Sequence, residues 1–381
     1  MNTAFIAGVG NTPFGRLEGQ GPLDLMAAAA RQALADAQLR HADIDGLLCG
    51  YATTLPHLML STLFAERFGL RPRYAHGMAL GGATGAAMLM LARDLVRVGR
   101  CRNVLVVAGE NRLSGQTRNS AIQTLAQVGD PDFEVPNGAS VPAYYALLAS
   151  RYMHATGLTQ DDLAQFAVLM RAHAAGHPEA HLRVPITAAD VSASKDIASP
   201  LRLLDCCPIS DGGMALVVSA GRPEQAGVTL SGAGQAHQHQ HLSALNDVMA
   251  TGASEAAEAA FAEAGLARGS IDYLGIYDSF TITLAMLLEE TGFAPRGQSA
   301  SGARDGRFAP GGALPLNTHG GLLSFGHCGV AGGMGHVVEA VRQMRGDAGK
   351  RQIARAPRHA FVHADGGVLS SHVSLILSAA D

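Results

Sequence analysis

Tryptophan is absent from these 381 residues, and aromatic residues of all kinds make up only 5%. That scarcity excludes the aromatic-lined groove on which nucleic-acid bases stack. Charge is thin as well: the formal net charge is −4 and no basic stripe gathers, which argues against a nucleic-acid partner. Cysteine is confined to Cys49, Cys101, Cys206, Cys207 and Cys328, an odd number without Cys-x-x-Cys spacing, so the thiols read as reduced and no metal site is expected. The N-terminus has neither the basic start nor the apolar run of a secretory leader, and no stretch is long and apolar enough to span a bilayer. A cytoplasmic protein is the expectation. Alanine and glycine dominate instead, which suits helices packed closely against sheets, and the length suffices for a substantial core.

The chain opens on a buried strand, Ala4 to Val9, and then Gly8 to Gly15. Pro13 replaces the third glycine of a dinucleotide fingerprint and no helix opens at once, so that fold is set aside. A helix from Pro22 to Gln38 and a strand from Ile44 to Gly50 follow. This unit recurs. Ala33, Leu34, Asp36, Leu39, Ile44, Asp45 and Leu47 correspond in order and spacing to Ala260, Phe261, Glu263, Leu266, Ile271, Asp272 and Leu274. Upstream, Phe5 to Gly10 is echoed by Val228 to Gly234. Downstream, the Gly81 to Gly85 run, its helix to Val98 and the strand Val104 to Ala108 are echoed by Gly332-Gly333, a helix, and Ala360 to His363. A duplicated β-α-β-α-β unit predicts an α/β body of two similar halves, 1–226 and 227–381, the first carrying an insertion at about 111–208 with helices over 141–156 and 161–175. An insertion of that length with its own helices reads as a functional cap.

The densest glycine loop, Pro315 to Gly333, carries His319 and His327 and runs into an amphipathic segment, Met334 to Met344. The spacing places His327 near a helix start, where an anionic atom or developing oxyanion is favoured. Asn317, Gly320, Gly321, Gly326, His327, Gly329 and Gly332 resemble the C-terminal signature of the thiolase superfamily, with Cys328 standing where that family usually has proline. The resemblance extends over essentially the whole chain. It implies the five-layered α-β-α-β-α thiolase fold, a homodimer, a coenzyme A thioester as substrate with no covalently bound cofactor, and an insertion lying over the site.

The nucleophile is missing. Where the family has Cys-x-Ser-Gly, this chain has Gly82-Ala83-Thr84-Gly85, so covalent acyl transfer at position 82 is excluded. Thr84 reads as a helix-capping residue rather than a substitute nucleophile. The family's second cysteine aligns with His363, which suits proton transfer at neutral pH; the alternative is a structural histidine at a strand end. The Asn-Glu-Ala-Phe motif is replaced by Tyr277-Asp278-Ser279-Phe280, similar to the His-Asp-x-Phe version of sterol-carrier-type relatives. Tyr277 can serve an oxyanion or pass a proton, or simply pack. Asp278 reads first as a cap for a helix starting at Thr281. Asp205 to Met214 resembles a structural turn before a core strand. His237, His239 and His241 alternate as on one strand face, without a partner that would make a metal site. Arg71, Arg73 and His76 precede the glycine run and face either the site or solvent.

The resemblance implies an enzyme that makes or breaks a carbon–carbon bond beside a coenzyme A thioester without a cysteine nucleophile. Its leading form is an aldolase acting on a β-hydroxyacyl-CoA, with Tyr277, His327 and His363 dividing the roles. Relatives of that branch work with a small partner built from a zinc ribbon and an oligonucleotide-binding-type fold. Two other readings stay open: an acyltransferase whose nucleophile has moved to Cys328, and a non-catalytic acyl-CoA or lipid-binding scaffold.

Overall fold

The computed structural model describes residues 2–138, 140–224 and 226–380. Met1 and Asp381, at the outer ends of the two expected halves, lie outside the described residues, as do Ala139 and Gln225. The chain runs β1 (Phe5–Asn11), α1 (Pro22–Asp36), β2 (Gly46–Gly50), α2 (Leu60–Phe68), β3 (Tyr74–Met78), α3 (Thr84–Arg97) and β4 (Asn103–Asn111). The insertion follows with α4 (Arg118–Ala126), α5 (Val141–Thr156), α6 (Gln160–Ala175), α7 (Ala188–Ala193) and a hairpin of β5 (Asp196–Ala198) and β6 (Leu201–Arg202), before β7 (Asp211–Ser219). Then come β8 (Val228–His237), α8 (Ala253–Ala264), β9 (Tyr273–Ile276), α9 (Thr281–Glu290), α10 (Ser299–Arg304), α11 (Val330–Arg345), β10 (His359–Gly366) and β11 (Ser371–Ala379).

Nine strands join in the order β3-β2-β4-β7-β1-β8-β11-β10-β9. Read outward from the middle, β1, β7, β4, β2 on one side match β8, β11, β10, β9 on the other. The matching pairs share direction, β2–β4 and β9–β10 being parallel and the rest antiparallel. Among the described residues, only Phe5↔Thr229 and Ile6↔Val228 pair across the two sides. Helices α3 and α11 lie between the two sheet sides and bury Met88, Leu89, Val337 and Val341 against Val106 and Leu216 of one and Val362 and Leu375 of the other. Helices α1 and α2 cover one outer face, α8 and α9 the other, which makes the five layers of the thiolase fold.

The duplication extends to atomic detail. Gly8 and Gly10 of β1 leave no room for a Cβ against the carbonyls of Ala33 and Ala29 in α1, and Gly232 and Gly234 of β8 are likewise pressed against those of Ala260 and Ala256 in α8. Glycine there lets a helix sit close on a strand. Asp45 accepts hydrogen bonds from the backbone N–H of Asn103 (2.8 Å), and Asp272 from that of Arg358 (2.8 Å). Each thus ties the turn before β2 or β9 to the start of the neighbouring strand.

Helix α11 is amphipathic in its letters but buried at every residue except Arg342 and Arg345. Its polar positions are matched inside: Glu339 pairs with Arg351 at 2.9 Å and accepts from the Thr318 hydroxyl at 2.7 Å, which offsets the cost of burying its charge. Among the described residues no helix is long and apolar enough to cross a membrane.

Candidate active site

The site forms where β9 ends. Asn317, held at φ +44°, accepts from the Ile276 N–H (2.9 Å) and donates to the Ile276 carbonyl (2.7 Å), so the glycine loop is bolted to the residue before Tyr277. Asp278 then accepts from the Leu322 N–H at 2.7 Å and orders the π-helical turn Gly321–Phe325. Ser210 N–H donates to the His327 carbonyl (3.0 Å), fixing the end of the loop.

These clamps bring Tyr277 Oη to 2.9 Å from His327 Nε2. The other ring nitrogen, Nδ1, accepts from the Gly329 N–H at 3.2 Å. In a neutral imidazole that assigns the proton to Nε2, which donates to the phenol oxygen and leaves the Tyr277 hydroxyl hydrogen free for a third group. His327 is neutral at physiological pH, because burial and the nearby Arg112 cation lower its pKa to about 3. Tyr277, 5% exposed, is held well above the usual phenol range by burial and then by Asp365, with Arg112 pulling the other way.

Gly82 lies directly opposite. A Cβ built there would stand 2.1 Å from Tyr277 Oη and 2.4 Å from the Asp365 carbonyl oxygen. The phenol therefore fills the space that a side chain at the degenerate nucleophile position would need. Arg112 completes this side: its Nε donates to Glu110 at 2.8 Å, and Glu110 also accepts from Thr53 and from the Thr54 N–H. Burial opposes the guanidinium charge, and Glu110 together with Tyr51, Cys328 and Tyr277 outweighs it, so a cation stands beside Tyr277 and His327.

Several expectations need correcting. His363 does not join this group. On β10 it lies opposite Ile276 of β9, on the face turned away from Tyr277, and its ring bonds Ser374 (2.8 Å) and His372 (3.1 Å). Strand alternation decides this: Val362 and Ala364 face the central helices, while Phe361 and His363 face outward. Asp278 is not the cap of α9, whose N-cap is Phe280 without a side-chain bond; it serves the turn at Leu322 instead. Cys328 is fully buried in the core, and burial together with Glu110 pushes its thiol well above the usual range, so no thiolate forms there. His237 ends β8 while His239 and His241 lie beyond it; they bond Ser371, Val368 and Asp130 separately rather than sharing a strand face. Thr84 closes its own turn, accepting from the Leu80 N–H (2.8 Å) and donating to the Gly81 carbonyl (2.7 Å). Asp211 gathers the N–H groups of Leu17, Leu113 and Ser114, a structural role. Arg71 and Arg73, just before β3, and His76 within it are exposed at the sheet edge.

Glu110 and Arg112 were not foreseen from sequence. The signal for both was present, since charged residues directly at the end of a buried apolar strand demand a partner. Among the described residues no group of three or more His, Cys, Asp or Glu side chains is placed to hold a metal ion.

A duplicated five-layered body with a glycine-loop histidine at the junction of its halves defines a thiolase-type protein, and the chain belongs to the thiolase superfamily. Residues 234–379 match the family model "Thiolase C-terminal domain-like". The chain is 35% identical over 357 residues to a steroid side-chain-cleaving aldolase of Thermomonospora curvata, covering 90% of each chain. It is 34% identical to 17-hydroxy-3-oxo-4-pregnene-20-carboxyl-CoA lyase of Mycobacterium tuberculosis, covering 90% of this chain and 92% of the relative. An acetyl-CoA acetyltransferase of Methanothermobacter thermautotrophicus is 30% identical, with coverage of 93% and 94%. Among solved structures, the Ltp2-ChsH2(DUF35) aldolase superposes with a TM-score of 0.85 at 32% identity, covering 99% of this chain and 98% of that one.

Proposed function

We propose that this protein is a carbon–carbon lyase acting on a β-hydroxyacyl-CoA, cleaving the bond between the α and β carbons without an acyl-enzyme. One observation carries the reading: the phenol of Tyr277, hydrogen-bonded to His327, occupies the space above Gly82 where a side-chain nucleophile would have to sit. Retro-aldol cleavage needs a group for the β-hydroxyl proton and a stabilised thioester enolate, but no covalent intermediate. Tyr277 handles the hydroxyl proton. In the cleaving direction Tyr277 acts as the phenolate, which the His327 Nε2–H holds and Arg112 faces, and it becomes the phenol on taking the β-hydroxyl proton. Once Tyr277 is a phenol its hold on the His327 Nε2–H weakens, and that donor turns to the developing enolate oxygen. The two relatives named as an aldolase and a lyase support this reaction class. The acyltransferase alternative loses its proposed nucleophile with the burial of Cys328.

The substrate carrier is coenzyme A, as the relatives' names support. Two partnerships belong to the same proposal. The exposed edge strand β3 suits a homodimer. The aldolase neighbour is named jointly for Ltp2 and ChsH2(DUF35), which supports a small zinc-ribbon and oligonucleotide-binding-type partner here. The test is intact mass spectrometry after incubation with acyl-CoA, before and after hydroxylamine, beside an assay for shortened acyl-CoA from β-hydroxyacyl-CoA, with and without a partner. Cleavage with no adduct is expected. A hydroxylamine-sensitive adduct on the protein would replace this reading with acyl transfer.

A further inference from the structure

Cleavage of this kind moves a negative charge as well as a proton. As the α–β bond breaks, the charge that the Tyr277 phenolate carried reappears on the thioester enolate oxygen, and the imidazole of His327 is a neutral donor to it. A buried cation stands close by. The Arg112 side chain is 9% exposed and that of Glu110 2%. Glu110 accepts from Nε alone, at 2.8 Å, where a carboxylate commonly grips a guanidinium at two points. Its other oxygen is occupied by Thr53 and Thr54. Burial raises the Tyr51 phenol, and Arg112 pulls it back as a nearby cation and as a hydrogen-bond partner. A single phenol oxygen cannot fill the donors of both Nη groups. Buried guanidinium donors without acceptors are costly, so a ligand atom is the natural partner for them.

Gly329 sets where this cation lies. At φ +66° its Cβ position falls inside van der Waals contact of Glu110 Oε2 and 3.3 Å from Arg112 Nη2, so only glycine lets the ion pair lie against the loop. The Gly329 N–H also donates to His327 Nδ1 at 3.2 Å. One residue thus fixes the cation and the imidazole relative to each other. We infer that Arg112 is a catalytic residue, its Nη groups binding the thioester oxygen beside the His327 Nε2–H and neutralising that oxygen as the enolate forms. The inference rests on the lyase reading and names the charged half of its oxyanion site. In the cleavage step the Tyr277 phenolate takes the β-hydroxyl proton, the β-carbon becomes a carbonyl, and the α–β electron pair becomes the enolate. The single negative charge passes from the phenol oxygen to the thioester oxygen, and Arg112 keeps its proton throughout. Glu110 is the positioning residue, since its hold on Nε turns the Nη groups away from itself.

A cation that only eased ionisation of Tyr277 would also speed cleavage, and pH separates the two roles. The titratable and charged groups around that phenol are His327, Asp365, Cys207, Tyr51 and Arg112. Arg112→Gln is expected to lower kcat for β-hydroxyacyl-CoA cleavage by about 100-fold to 1,000-fold, with a smaller change in KM, and equally from about pH 7 to about pH 9.5. A loss that disappears at the alkaline end overturns the assignment. Arg112→Ala is expected to regain at least about 10-fold of the lost rate with guanidinium ion at about 20 mM and none with urea, which has the shape without the charge. An equal response to urea also overturns it. Should these variants fail to fold, Arg112→Lys keeps the charge without the planar fork and is expected to slow kcat by about 10-fold, and a wild-type kcat there overturns the assignment. Each of these outcomes leaves the lyase reading standing. Wild-type protein that cleaves no β-hydroxyacyl-CoA, with or without a partner, overturns that reading and the inference with it.

Discussion

Gly82→Ala adds one methyl group where the structure has no room for it. Its Cβ would meet Tyr277 Oη at 2.1 Å, Tyr277 Cζ at 2.5 Å and the Asp365 carbonyl at 2.4 Å, all far inside van der Waals contact. The carbonyl belongs to Asp365 of β10, which is held in register with His372 of β11, so it resists displacement. The phenol must give way instead, and the 2.9 Å bond to His327 is lost. Overpacking of this kind costs about 1–3 kcal/mol, read as a fall of a few degrees in the thermal midpoint. Cleavage should drop by about 100-fold in kcat, with a smaller change in KM, because the displaced group acts in proton transfer. The decisive comparison is the double variant Gly82→Ala, Tyr277→Phe. If both substitutions act through the same phenol, the double variant is about as slow as Tyr277→Phe alone. Gly82→Ala within about twofold of wild type, or a double variant whose loss is the product of the two single losses, would refute the argument. Gly82→Cys, which restores the family's residue, should meet the same obstruction and form no acyl adduct.

Three further outcomes are expected. His363→Asn removes bonds to Ser374 and His372 in a packed strand, so it should cost about 1–3 kcal/mol of stability while the folded enzyme keeps its kcat; a selective loss of kcat would return His363 to the site. Cys328→Ala should keep at least about half of the activity, and iodoacetamide should leave Cys328 unmodified in the folded protein, because the thiol is buried and neutral; abolished activity would revive the displaced nucleophile. Acid should destabilise the fold early: burial lowers His173 and His372 to about 4 and His177, His319 and His327 to about 3. Below pH 6.5 the unfolded chain takes up protons that the folded chain refuses, so stability falls as pH falls, by about 1.4 kcal/mol per group per pH unit once fully engaged. Asp205, Asp278, Asp347 and Asp365, with raised folded values, run the other way but are fewer. A thermal midpoint that stays flat from pH 7.5 to about pH 5 would contradict these assignments.

What could be read from sequence was local. The helix–turn–strand repeat was visible because Asp45 and Asp272 do the same job at the same offset, and the glycine pairs of β1 and β8 face the same helix carbonyls. The Asn317 to His327 loop was legible for the same reason: its spacing is set by contacts within a few residues and by one neighbouring strand end. What failed was parity. Residue type alone does not show which face of β10 a side chain takes, and alternation turns His363 outward onto Ser374 and His372. The contact that defines the chemistry was invisible for a different reason. A missing nucleophile can be read at position 82, but what occupies its space is decided by Tyr277, which arrives from the other side of the sheet on a different half of the duplication. An absence in one half was therefore an instruction about the other, since only a glycine at 82 lets the phenol reach His327 while Asp365 closes the same space from β10.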